Sequence, residues 1–286
     1  MVGVEARGLT SMFSFLKKRR REQLRASAFP PEFIPILQSN VPVYRRLPDE
    51  LRAQLHGHIQ VLLAEKHFEG CNGLEITDEV RVTIAGEAAL LLLNRETKYY
   101  PELLTVLVYP DVFYAEVEDN EGHIVSEYKE DRSGESWDMG VIILSWKDAV
   151  EHASTGRAGY NVVLHEFAHQ LDMENGAMDG IPQLPSRAAR DAWHAAFSDA
   201  YEAMQRGQRS VVDEYGAEHP SEFFAVVTES FFERSLALKR DHPMLYEVLS
   251  SYYCVDPAEW SAPAAAAREA LPRAGRRARR PRSPRA

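Results

Sequence analysis

Residues 162–172 read VVLHEFAHQLD, and within them His165 and His169 stand four apart. On a helix that spacing puts two imidazoles on one face, one turn apart, so both can reach a single metal ion. Two neutral ring nitrogens, a carboxylate and an open fourth position for water make up a zinc-type donor set. Glu166, next to the first histidine, can stand beside a water on such an ion without binding the ion itself. That combination suits hydrolysis, with a carboxylate base beside a Lewis acid. The plainer reading is an amphipathic helix that happens to carry two histidines. Val162, Val163, Leu164, Phe167, Ala168 and Leu171 weaken it, because they would bury the helix, and paired histidines inside a buried helix need partners.

His-Glu-x-x-His on a helix is the arrangement of zinc peptidases, and it calls for a third protein ligand. The long form of the motif with a third His is excluded: Asp172 stands where Gly is expected, and the next His is His194. Glu174, five residues after His169 at the helix end, is too close. The segment HPSEFFAVVTESFF, residues 219–232, offers more. Pro220 suits a first helical position. Glu222 falls in the first turn, small Ala225 allows close approach to the first helix, and Glu229 lies seven residues on along the same face. From spacing alone, Glu222 is either a ligand or an ordinary acid favoured by the helix dipole. Glu229 competes as ligand, or orients a ligand histidine. Asp172 either serves that outer role too or merely ends its helix. Tyr215, seven residues before Glu222 in DEYGAEHP, is either a packed aromatic or a phenol able to donate to a developing oxyanion.

Several elements must position these groups. Leu51, Leu55, Ile59, Leu62 and Leu63 recur at helical spacing and predict a helix over 48–69. Thr77 followed by Asp78 and Glu79 predicts a capped helix start, with the helix running over 80–93. The character then changes. LLTVLVYPDVFY (103–114) predicts strands interrupted at Pro110, 119–122 a turn, 123–128 a weak strand, and GVIILSW (140–146) a strong strand. Helices return from Ala158. Helices, a short run of strands, then helices make an α+β arrangement, without the alternating units of a doubly wound parallel sheet.

The chain has 286 residues, 45% hydrophobic, with a net charge of −10. The length suits one large domain or two small ones with a sizeable core. The charge is unevenly spread: residues 17–25 carry +5 and residues 261–286 carry +7, which leaves −22 for the remainder. An acidic body argues against a general nucleic-acid binder. Two cysteines, no visible secretory signal and no apolar run near a membrane span point to a cytoplasmic protein with no membrane partner. Met12–Arg25 reads as a solvated basic helix in preference to an interfacial one, because its apolar part is one turn long. We expect a basic N-terminal lead over 1–28, mobile or peripheral, a main domain over 29–260, and a disordered Arg/Pro/Ala-rich tail over 261–286.

The sequence resembles the zinc metallopeptidases of the Mlc titration factor A type. The resemblance rests on GVIILSW (140–146), GYNVVLHEFAHQLDMENG (159–176), EYGAEHPSEFFAVVTESFF (214–232) and LYEVLSSYYCVDP (245–257), and spans most of 29–257. It implies a zincin-like domain of gluzincin type, mostly helical, with a small mixed sheet next to the metal-binding helix. It implies one zinc ion per chain bound by His165, His169 and Glu222, with Glu166 as general base and Tyr215 as transition-state donor. The Tyr-then-Glu spacing is similar to that of the anthrax lethal factor catalytic domain. The resemblance implies a peptide substrate, aminopeptidase activity, and a protein partner, a glucose-responsive transcriptional repressor that is bound and inactivated. The competing reading is a non-catalytic regulatory binding protein whose metal staples two helices. The strand at 140–146 is either an edge that aligns substrate or an interior strand.

Overall fold

A computed structural model describes residues 3–111, 114–118, 124–128, 140–155 and 159–260. The expected turn at 119–122 and the expected disordered tail at 261–286 lie outside these residues.

Helix α1 spans Gly3–Ala26 and packs on α3 (Asp49–Glu65); α2 (Phe33–Asn40) and a 3-10 turn at Pro42–Arg46 lie between them. The N-terminal lead is therefore a helix with a docked end. Arg21 pairs with both carboxylate oxygens of Glu65 at 2.7–2.8 Å and donates to the Lys98 carbonyl. Gly57 lets the two helices approach, since a Cβ there would meet the Arg25 backbone at 3.2 Å.

Helix α3 stops at Glu65, short of the expected 69, because the chain turns extended at Lys66 and enters strand β1 (His67–Gly70). The Lys66 ammonium holds that turn by donating to the Tyr100 and Leu103 carbonyls, each at 2.6 Å. Helix α4 (Asp78–Leu90) starts as expected, with Thr77 Oγ1 accepting from the Val80 amide. Nearly all of it is buried, so it forms the centre of the core.

Strands β1, β2 (Thr105–Tyr109) and β5 (Val141–Ser145) form a parallel sheet in the order β1-β2-β5. Strands β3 (Tyr114–Glu118) and β4 (Ile124–Tyr128) pair separately and antiparallel. The expected small mixed sheet is thus a parallel sheet and a distinct antiparallel pair. Val106, Val108, Ile142 and Leu144 point into the core, and alternate residues face outward. Helix α5 (Trp146–Thr155) follows β5 directly, its start marked by Ser145 Oγ accepting from the Asp148 amide.

The remaining helices are α6 (Val162–Asp172), α7 (Arg187–Gln205), α8 (Pro220–Glu233), α9 (Ser235–Asp241) and α10 (Pro243–Tyr253). Rings from three of them, Trp193 and Phe197 of α7, Phe223 and Phe224 of α8 and Tyr252 of α10, interlock edge-to-face and stacked. That cluster fixes α8, and α8 packs along α6. The fold is α+β and mostly helical, with β5 beside α6. No described helix is long and apolar enough to cross a membrane. Cys71 and Cys254 are both free thiols.

Candidate metal centre

Helix α6 begins at Asn161, whose extended backbone and Oδ1, accepting from the Leu164 amide at 3.0 Å, form a side-chain cap. Val163, Leu164, Phe167, Ala168 and Leu171 are buried in the core. With that face fixed, His165 and His169 project toward α8. His219 caps α8 with Nδ1 accepting from the Ser221 amide, Pro220 takes the first turn, and Glu222 follows one residue after Ser221. Ala225, fully buried, leaves room for the approach.

The three side chains meet. His165 Nε2 lies 3.0 Å and His169 Nε2 3.3 Å from the Glu222 carboxylate, and the two Nε2 atoms are 3.2 Å apart. One donor atom from each falls within 4.8 Å of the others, and no fourth His, Cys, Asp or Glu joins them among the described residues. Two imidazole nitrogens and a carboxylate oxygen aimed at one point fit a divalent ion of zinc type that keeps an open position.

The charges are arranged for the same purpose. Burial opposes charge on His165, but the carboxylates of Glu222 and Glu229 on either side of its ring hold its pKa well above 6.5. Burial keeps His169, 2% exposed, below its usual range, against the pull of Glu222. Burial also works against the Glu222 charge, yet its bonds to both histidines hold its pKa well below the carboxylate range. The two carboxylates on either side of the His165 ring thus favour its charged form, against the burial that opposes it.

Glu229, open as a ligand from spacing alone, stands behind His165. One carboxylate oxygen accepts from His165 Nδ1 at 2.8 Å and the other accepts from the Asn161 amide. Burial pushes its pKa up, opposed by those two donors. Asp172 makes no bond to a histidine among those described. Its Oδ2 accepts from the Gly180 amide at 2.8 Å, and the Gly180 carbonyl accepts from the Trp193 indole at 3.0 Å. Gly180 sits at φ +76, and a Cβ there would strike the Pro220 carbonyl at 2.4 Å. Asp172 thus presses this loop onto the start of α8, beside Glu222.

Tyr215 lies in a 3-10 turn at Glu214–Ala217, with its ring centroid 6.1 Å from that of His165. Asp213 Oδ1 accepts from its amide, and Tyr201 pins the turn by donating to the Ala217 carbonyl. Gly216 sets the depth: a Cβ there would come 2.6 Å from Val226 and 3.2 Å from the Phe223 Cα, both on α8. Glu166 is half-buried and bears electrostatically on His165.

Sequence reasoning passed over Asn161 and Glu233. Glu233 accepts from the Gly159 amide at 2.7 Å and from the Asn161 side chain at 3.0 Å. The two signals were present: an Asn directly before an apolar helix, and an acid four residues beyond Glu229 and so on its face.

A family described as Glucose-regulated metallo-peptidase M90 matches residues 15–254. The chain belongs to this family. The match begins at Phe15 and so takes in the whole basic run at 17–25. Relatives include a Synechocystis protein described as uncharacterized protein slr2042, 42% identical over 83% of this chain and 89% of its own length. They also include proteins described as Mlc titration factor A: one from Serratia proteamaculans, 33% identical over 68% of this chain and 77% of its own length, and one from Yersinia enterocolitica, 29% identical over 76% and 84%. The family's name as a metallopeptidase accords with the donor set between α6 and α8.

Proposed function

We propose that the protein is a zinc-dependent peptidase of aminopeptidase type, with His165, His169 and Glu222 as the metal ligands. The observation that carries the proposal is the meeting of one donor atom from each of those three side chains, all within 4.8 Å of one another. The chemistry a bound zinc ion supplies there is polarisation of the scissile carbonyl and a water acidified from about 15.7 toward about 7. Glu166 would serve as the base that takes a proton from the attacking water and returns it to the leaving amine. Tyr215 donates its phenolic proton to the developing oxyanion; loss of one such donor costs on the order of a hundredfold or more in rate. Glu229 holds the His165 ring so that Nε2 faces Glu222 and His169. Strand β5, at one edge of the three-stranded sheet, lines up the substrate backbone. A body carrying −22 favours the cationic N-terminus of a peptide.

The name Mlc titration factor A, carried by the Serratia and Yersinia relatives, supports a second role. In it, this protein binds a transcriptional repressor in the cytoplasm and lowers its activity. The catalytic role is tested in one experiment. Metal content and hydrolysis of aminoacyl and N-blocked peptide substrates are measured on the wild type and on Glu166→Gln. The proposal expects one zinc per chain in both, preference for free N-termini, and a rate at least about a hundredfold lower in the variant. A Glu166→Gln protein that keeps its metal and its full rate would refute the catalytic reading.

A further inference from the structure

The docked end of α1 fixes which side of that helix faces away from the body. Arg21 is held by Glu65 and the Lys98 carbonyl and lies 4.6 Å over the Tyr99 ring. Leu24 packs against the core, and the Arg25 backbone lies against Gly57. At about 100° per residue, Phe15 and Arg19 then fall nearly opposite Arg21 and Leu24, with Leu16 and Lys18 to either side. The exposures agree: Phe15 is 63% and Leu16 50% exposed, and Lys18, Arg19 and Arg20 are all exposed. Those three cations make no ion pair among the described residues. An apolar turn spent on the core would face α3, and this one faces away from it. The sequence alone favours a solvated basic helix; the direction of Phe15 and Leu16 is what changes the reading.

We propose that the outward face of α1 is a docking surface for an anionic phospholipid bilayer, with Phe15 and Leu16 entering the interface and Lys18, Arg19 and Arg20 meeting lipid phosphates. Charge selects this occupant. The chain's own tail over 261–286 carries +7 and is repelled by the same face. A nucleic acid would use the cations but leave the two apolar side chains without a role. Apolar side chains on a helix flanked by cations match an interfacial helix on an anionic surface. The acidic remainder of the molecule is repelled by that surface, so α1 also dictates orientation. The inference does not depend on the peptidase reading.

The test uses the full chain in sedimentation with vesicles of phosphatidylcholine alone and of phosphatidylcholine mixed with phosphatidylglycerol, at near-physiological salt. Binding to the anionic vesicles is expected to exceed that to the neutral ones by about tenfold or more. Joint substitution of Lys18, Arg19 and Arg20 by Gln should lower it about a hundredfold, at about fivefold per charge. Phe15→Ser with Leu16→Ser should lower it at least about tenfold while leaving the melting temperature unchanged, since both are exposed. Equal binding to both vesicle types, or binding indifferent to Phe15 and Leu16, would overturn the proposal. So would tighter binding to a DNA duplex that survives the Phe15 and Leu16 changes, self-association that they abolish, or a melting temperature that they lower.

Discussion

Replacing Glu229 by Gln removes one charge and almost no volume, yet it should disable the metal centre. The carboxylate of Glu229 accepts from two N–H groups at once, His165 Nδ1 and the Asn161 amide. Both neighbours are donors in this arrangement. A glutamine presents one acceptor and one donor, so one of the two N–H groups must face an NH2. Glu229 is 2% exposed, and no bulk water replaces the lost acceptor. Leaving a buried donor unsatisfied costs about 1–3 kcal/mol. If the loss falls on His165, its ring is no longer held with Nε2 toward Glu222. Losing such an outer partner weakens metal binding about 10–100-fold, or about 1.4–2.7 kcal/mol, which lies within the bonding loss just derived. If the loss falls on Asn161, the cap of α6 weakens instead, and the cost appears as lower stability of the metal-free chain. Two measurements therefore go together: zinc affinity by competition with a chromophoric chelator, and urea unfolding of the metal-free protein. A Glu229→Gln protein with wild-type zinc affinity and wild-type stability would refute the reasoning.

Three further outcomes follow from the same geometry. Metal uptake should release a proton from His165, because the two flanking carboxylates keep that ring charged well above pH 6.5. Zinc affinity should then fall by roughly tenfold per pH unit on acidification, and a pH-independent affinity measured by calorimetry would contradict this. Gly216→Ala forces a Cβ to within 2.6 Å of Val226. It should lower stability by about 1–3 kcal/mol and, by displacing Tyr215, cut kcat on a test peptide while zinc content stays at one per chain; an unchanged kcat would remove Tyr215 from the mechanism. Burial pushes the Asp172 carboxyl from 3.8 up to about 7. The native chain then binds this proton more tightly than the unfolded one, so stability is fully present below about pH 4 and falls as pH rises to about 7, by up to about 1.4 kcal/mol per unit. Asp172→Asn keeps an acceptor for the Gly180 amide and should remove that slope, which urea unfolding of metal-free wild type and variant across the window will show. An unchanged slope would sink the assignment.

The donor cluster was legible in the sequence because each half of it is local. His165, Glu166 and His169 fall on one helix, and helical spacing alone put Glu222 and Glu229 on one face of another. What spacing could not decide was which of the two carboxylates meets the histidine Nε2 atoms and which stands behind His165. That depends on how far along α6 the helix α8 lies, and the packing of Phe224 against Trp193 and Tyr252 and of Phe223 against Phe197 sets it. Asp172 was readable as a helix-ending acid but not as a grip on Gly180, which needs the return of a loop eight residues later. Elements whose limits carry no local signal differ from what spacing predicts. Apolar spacing runs on past Leu63 with no Gly or Pro before Gly70, so the end of α3 and the strand β1 were merged into one helix. Helix α5 was hidden behind a strong strand pattern that ends only one residue before it.

The distance along the chain between α6 and α8 has a consequence during synthesis. His165 and Glu222 are 57 residues apart, and His165 and Glu229 are 64 apart. At about 5–20 residues per second, the ribosome exposes the histidine pair for several seconds before the carboxylates that complete and orient it have been made. A lone helix with two imidazoles retains a metal ion poorly, and nothing yet holds the His165 ring in place. On the proposed ligand set, a metal ion can be held only once α8 has docked.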